Sequence, residues 1–181
     1  MDVQFSEEQL LLRDSILGQA EKLSPSSVSG YDDFDDELLW DRLAAAGALA
    51  LGLPEELGGA GSISDAAIVA TALGRALAPA PYLGCAVLPA QLLAATGADP
   101  ELVAAIASGQ RRIAVALDAV TGAIGREDGA ALAWDAAGAE AALAQGADGR
   151  LVALALGPPT PGVDLTRTSG RLREQPQRGA S

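Results

Sequence analysis

Ser108-Gly109-Gln110-Arg111-Arg112-Ile113-Ala114-Val115-Ala116-Leu117-Asp118 is where the periodicity of this 181-residue chain changes. From Ile113 onward Ile, Val and Leu alternate with Ala, the two-residue repeat of a strand, and Ser108-Gly109 closes the helical pattern before it. A fold with helices first and strands second follows. The class is α+β, and the break divides the chain into an all-helical domain over 1–110 and a strand-bearing domain over 111–181.

Working back from the break, Asp99 and Pro100 announce a helix, with Asp as the cap and Pro at the first turn, where its missing N–H costs nothing. Another helix is expected from about Gly84 to Thr96. Ser64 is the expected cap of a helix carrying Ile68, Ala72 and Arg75-Ala76. Before it lies Pro54-Glu55-Glu56-Leu57-Gly58-Gly59-Ala60-Gly61, a glycine-rich loop. Leu39, Trp40, Leu43 and Ala46 mark a helix ended by Gly47 in a left-handed conformation. At the front, Ser6-Glu7-Glu8-Gln9 has the form of a capping box, Phe5 and Leu10 take the staple positions, and Leu12, Ile16, Ala20 and Leu23 share one face of a helix over about 7–23.

Working forward, Gly122 to Gly129 reads as a turn region and Ala130 to Trp134 as a second strand. Leu151 to Leu156 is a stronger strand, stopped by Gly157-Pro158-Pro159. The stretch 170–181 is polar and reads as a loose end.

Composition removes several chemistries. The chain is 49% hydrophobic and 20% charged, a globular balance. A net charge of −12 repels phosphates and argues against nucleic acid. Residues 1–60 hold 13 acids and 3 bases, so the front end is an acidic surface. No histidine and one cysteine leave no Ser-His-Asp or Cys-His catalysis, no zinc ribbon and no disulfide framework. No metal site is expected. Residues 76–98 carry no charge, but Pro79, Pro81, Pro89 and Gln91 argue against a membrane span. The first residues show no basic stretch followed by an apolar one, and a cytoplasmic location is the expectation.

Gly58 to Gly61 precedes a helix, where backbone N–H groups can hold a phosphate. The following Lys-Ser/Thr and the G-x-G-x-x-G spacing are missing, and Asp65 would repel an anion, so a structural crossover is the better reading. Asp32, Asp33, Asp35, Asp36 and Glu37 lack the order of a calcium loop and suit a helix start. Trp40 and Trp134 read as packing residues, and Cys85 as a small core residue. Asp164 and Arg167 are expected to pair, with Arg171, Arg173 and Arg178 making the tail locally basic.

No single motif defines an active site, but their order does carry information. Phe5-Ser6-Glu7-Glu8-Gln9, Trp40-Asp41-Arg42-Leu43-Ala44-Ala45-Ala46-Gly47, Leu53 to Gly61 and Leu73-Gly74-Arg75-Ala76-Leu77-Ala78-Pro79 together resemble the N-terminal helical domain of acyl-CoA dehydrogenases. Gly162-Val163-Asp164-Leu165-Thr166-Arg167 is similar to a stretch near the end of that family's middle β-domain.

The resemblance implies an FAD-dependent oxidoreductase of lipid metabolism, in which a carboxylate on a C-terminal helical domain removes a proton from an acyl-CoA and the flavin takes the hydride. It implies homo- or hetero-oligomers of dehydrogenase subunits. No counterpart of the C-terminal helical domain is expected here, so the catalytic residue is assigned to none of this chain and the chain alone is expected to be inactive. Leu117 and Asp118 stand where the family has a Thr-Glu pair near the flavin and are the expected cofactor contacts. The rest of the flavin-facing region is compressed into Thr121 to Ala147, which makes the β-barrel-like domain that the resemblance implies for 111–181 look incomplete. The alternative is a non-catalytic partner subunit or interaction module of a heteromeric dehydrogenase.

Overall fold

The computed structural model describes residues 5–32, 34–97, 99–129, 131–160 and 162–173, the side chain of Thr160 excepted. Asp33, Arg178 and the expected loose end beyond Arg173 lie outside these residues.

Among the described residues five α-helices lead: α1 (Glu7–Leu23), α2 (Glu37–Ala45), α3 (Ile63–Arg75), α4 (Leu88–Thr96) and α5 (Pro100–Ala107). Most boundaries are set by the expected side chains. The Ser6 hydroxyl accepts from the Gln9 N–H at 3.2 Å, and the Ser6 N–H donates to the Gln9 side chain at 3.1 Å. Phe5 and Leu10 remain exposed and form no buried staple. Gly47 sits at φ 69° beyond the end of α2, and the Asp99 carboxylate caps α5.

Helix α3 begins two residues earlier than the expectation. Its cap is Ser62, because Asp65 reaches back to the Ser62 N–H at 2.8 Å and closes a second capping box. Helix α4 is entered through a π-helical turn over Leu83–Val87, so the apolar run is one continuous rod despite Pro89. Among the described residues no helix is long and apolar enough to cross a membrane.

Five strands follow among the described residues: β1 (Ile113–Asp118), β2 (Ala131–Trp134), β3 (Ala141–Gln145), β4 (Leu151–Thr160) and β5 (Ser169–Leu172). They close into a small barrel in the order β1-β2-β5-β4-β3, with β1 and β3 parallel and the other pairs antiparallel. The shortened barrel therefore closes. Strand β4 does not stop at Gly157-Pro158-Pro159. It runs on to Thr160 through a register shift between Leu156 and Pro159, the kind of irregularity where a residue without an N–H is tolerated.

Helices and barrel share their cores. Ile16, Trp40, Leu43, Val69 and Ala86 belong to one buried cluster with the barrel alanines Ala114, Ala116, Ala133, Ala142 and Ala144. On the other face of the strands, Ile113 and Leu143 join Leu93, Val103 and Ile106 of α4 and α5. Alanine brings little apolar area, but its small volume lets helix and strand backbones approach closely.

Two polar staples cross the junction. Arg112 at the start of β1 donates to both carboxylate oxygens of Asp36 at 2.9 and 2.8 Å and lies 4.5 Å from the centre of the Trp40 ring. The Trp40 indole N–H donates to the Gly109 carbonyl at 3.0 Å. The acidic start of α2 thus does more than solvate a helix end. On the other side, Asp135 follows β2 with only 1% exposure. One carboxylate oxygen accepts from the Gly84 N–H of the π-turn at 3.0 Å, and the other from Arg167 at 3.3 Å. Arg167 therefore pairs with Asp135 and not with Asp164, whose carboxylate is taken by the Thr166 N–H and hydroxyl.

Candidate functional site

The glycine-rich loop is a crossover. The N–H groups of Gly58, Gly59 and Ala60 donate to the carbonyls of Glu55, Pro54 and Ala50 at 2.9, 3.0 and 3.2 Å, so these three donors are committed to the protein. A side chain on Gly59 would come within 1.9 Å of the Leu53 carbonyl, which explains the glycine without any ligand. Cys85 is fully buried, its Sγ donates to the Asp135 carbonyl, and burial pushes its pKa up, so it stays a neutral thiol.

The chemistry-bearing concavity lies at one mouth of the barrel. A cleft of about 860 Å³ opens between the C-terminal end of α4 and the barrel, with Leu92, Ile124 and Leu151 as apolar wall and Gln145 and Arg150 as polar groups. Its size falls within the range of small-molecule sites. Among the described residues, Arg150 is the one ionisable side chain lining the cleft, and neither it nor the Gln145 amide has a side-chain hydrogen bond to the protein. Ala123, Ile124 and Gln145 also border a smaller cavity of about 280 Å³ that contains Asp118, Thr121 and Arg126.

Leu117 and Asp118 end the strand beside this smaller cavity. Leu117 is paired with Leu132 on one side and bridged to Ile124 on the other. The Asp118 N–H donates to the Ala123 carbonyl at 2.9 Å. Its carboxylate accepts from the Val120 N–H, the Thr121 N–H and the Thr121 hydroxyl at 3.1, 2.8 and 2.9 Å. Those bonds, the ones from Thr121 above all, hold Asp118 below the usual carboxylate range. It is a poor proton acceptor near neutrality, because a base works best with a pKa near the ambient pH.

The compressed stretch after β1 accounts for this. Instead of extending outward, Ala123 to Glu127 folds back along the barrel edge. Gly125 donates to the Ala116 carbonyl, Gln145 to the Gly125 carbonyl, and Glu127 to the Gln145 carbonyl, at 2.8, 2.8 and 2.9 Å. The segment fills the gap where β1 and β3 diverge. A flavin ring needs donors for its carbonyl oxygens and ring nitrogens, and the donors at Leu117-Asp118 are spent within the fold. Those two positions do not fit a flavin by themselves. The side chains still offering donors are Gln145 and Arg150 across the cleft, which sequence reasoning missed because a lone Gln and Arg in an Ala-rich run carry no motif.

The family model of the acyl-CoA dehydrogenase N-terminal domain matches residues 6–100. The chain belongs to the acyl-CoA dehydrogenase family. It is 46% identical over 81 residues to the acyl-CoA dehydrogenase IpdE2 of Mycobacterium tuberculosis, a match covering 41% of this chain and 26% of that protein. The ChsE4-ChsE5 complex from Mycobacterium tuberculosis is similar across 96% of this chain and 56% of the solved one, with a TM-score of 0.71 and 26% identity. A variant of the Tcur3481-Tcur3483 steroid acyl-CoA dehydrogenase aligns over 92% of this chain and 54% of its own, with a TM-score of 0.67 and 25% identity. The chain thus spans about a quarter of the curated relative it matches and just over half of the solved chains.

Proposed function

We propose that this chain supplies the helical and barrel walls of an acyl-CoA dehydrogenase site and works in a heteromeric assembly, with the proton-abstracting carboxylate on other polypeptide. The observation that carries the reading is the barrel-mouth cleft: it is sized for a substrate, walled by Leu92, Ile124 and Leu151, and no carboxylate lines it among the described residues. Asp118, the nearest acid in the adjoining cavity, is kept ionised by its own turn and takes up a proton poorly. An acyl thioester suits such a cleft, because Gln145 and Arg150 can meet its carbonyl or phosphate oxygens while the apolar wall takes the acyl part. The relatives add weight, since two of the similar solved structures bear paired subunit names. FAD in this reading is held mainly by the partner polypeptide, with Leu117 and Asp118 at the rim.

The test is to produce the chain alone and together with longer acyl-CoA dehydrogenase subunits from the same genome, and to follow acyl-CoA oxidation with an artificial electron acceptor. No turnover is expected from the chain alone. In the assembly, turnover is expected, and Arg150→Ala in this chain raises KM while leaving assembly intact. Turnover by the isolated chain, or an active assembly indifferent to Arg150→Ala, overturns the reading.

A further inference from the structure

Asp135 is the one charged residue fully buried among the described residues, and its surroundings serve a carboxylate poorly. An ionised carboxylate offers about four acceptor sites. Here Oδ2 has the Gly84 N–H at 3.0 Å and Oδ1 a single guanidinium nitrogen at 3.3 Å. That same nitrogen also reaches the Ala80 carbonyl at 3.0 Å and the Thr166 carbonyl at 3.5 Å, so the cation is divided and forms no two-bond fork with the acid. The backbone is strained as well, with Asp135 at φ 54°.

We propose that Asp135 is a proton-controlled seat for the start of α4: the π-turn sits firmly on the barrel while the carboxyl is protonated, and slackens when it ionises. A protonated carboxyl keeps its carbonyl oxygen for the Gly84 N–H and removes a charge that Arg167 compensates only in part. Arg167 is 20% exposed and stays solvated without its partner. Opening the seat carries Asp135 into water, where ionisation costs nothing, so proton loss and opening favour each other.

The charged groups around the seat do not reverse this sign. Arg167 and Asp164 approach from the connection between β4 and β5, and the second acid opposes the first base. From the π-turn comes only the neutral Cys85 thiol, which also feels Arg112 and Asp36, a pair that already neutralises itself. Burial holds Asp135 above the usual carboxylate range, against the pull of Arg167 and the Gly84 N–H. A raised acid pKa means that the closed form holds its proton where the open form has lost it. Closure is therefore strongest below the ordinary aspartate value and weakens as pH rises from there to the raised value of the closed form. Gly84 lies about 12 Å along the rod from Leu92, so slackening reaches the wall of the cleft. The seat works the same way whatever the cleft binds.

Amide hydrogen exchange of the full chain tests this from mildly acidic to neutral pH, with opening constants corrected for intrinsic exchange, in the native protein and in Asp135→Asn. The opening constant at Gly84 and Cys85 is expected to rise with pH by up to about tenfold per unit until the carboxyl is fully ionised, and then to level off. In Asp135→Asn it is expected to stay flat. A constant that is flat or falls with pH in the native protein overturns the proposal, as does an unchanged rise in Asp135→Asn. Should that variant fail to fold, carboxyl carbon NMR of the native protein decides: a midpoint above the ordinary aspartate value supports the seat, and one at or below it overturns it.

Discussion

Replacing Gly84 with alanine adds one methyl group where helix and barrel lie in close contact. The new Cβ would lie 2.2 Å from the Asp135 carbonyl oxygen and 2.6 Å from both the Asp135 Cβ and the Trp134 carbonyl oxygen. Two of these are backbone atoms, which cannot swing aside. Reaching the 3.4 Å of ordinary contact requires a separation of about 1.2 Å, and a 3.0 Å hydrogen bond from the Gly84 N–H to the Asp135 carboxylate does not survive it. Overpacking costs about 1–3 kcal/mol. Losing a hydrogen bond to a buried charge costs about 1.5–3 kcal/mol more. Exchanging Gly for Ala in a helix returns about 1 kcal/mol. The net expectation is a destabilisation of roughly 2–5 kcal/mol. Urea unfolding followed by far-UV circular dichroism measures it, with Gly74→Ala as the control, because a Cβ on Gly74 meets nothing within 4 Å. Gly74→Ala should be neutral or stabilising by up to about 1 kcal/mol. If Gly84→Ala behaves like Gly74→Ala, the close docking of the π-turn on β2 is wrong.

Asp36→Ala leaves the Arg112 side chain, only 12% exposed, without its carboxylate, and should destabilise by about 2–4 kcal/mol in the same unfolding experiment, against near-neutrality for the exposed Asp41→Ala. Cys85 should resist thiol reagents in the folded protein at neutral pH and react fully in denaturant, since burial keeps it protonated and out of reach. Asp65 is held below the usual carboxylate range by Gln9 first and Ser62 second. It therefore contributes stability above its unfolded pKa that is lost as pH falls through the folded value, and Asp65→Asn should flatten that acid limb in pH-dependent urea midpoints. Leu77 sits at φ 50° after α3, where glycine is usual, and the residue is 61% exposed. Leu77→Gly should raise the urea midpoint, by the equivalent of about 1 kcal/mol.

The helical half was legible because its signals are local. Ser6 with Gln9, Gly47, and Asp99 with Pro100 each act within one turn, and a capping residue does the same work whatever packs on the helix later. The miss at Ser64 is of the same kind, since Asp65 can close a box only with the residue three before it, and that is Ser62. Strand β3 left no trace because Ala141-Ala142-Leu143-Ala144-Gln145 lacks β-branched and aromatic residues. It is a strand because Ala142 and Ala144 let neighbouring backbones close in. Strand β5 was hidden in a polar stretch for a related reason, its pairing with β2 and β4 being decided by barrel closure. The expected Asp164–Arg167 pair failed because a surface acid is readily satisfied by its own turn, whereas Asp135 has no other cation among the described residues.

The two staples divide the work in a way that bears on function. At one, the helical side supplies the acid and the ring, Asp36 and Trp40, and the barrel supplies the base, Arg112. At the other, the barrel supplies both charges, and the helical side only a backbone donor at Gly84 and a backbone acceptor at Ala80. The base on the barrel cannot drift from its acid without exposing an apolar ring, so the first staple is rigid. The second depends on a charge that the interior solvates badly, so it is the one a proton can adjust. The cleft lies beyond the second staple, at the far end of the same rod, and it lacks a carboxylate among the described residues. In the proposed reading this chain offers a dehydrogenase site geometry rather than proton transfer, and the adjustable staple sits about 12 Å along the rod from the wall of the cleft.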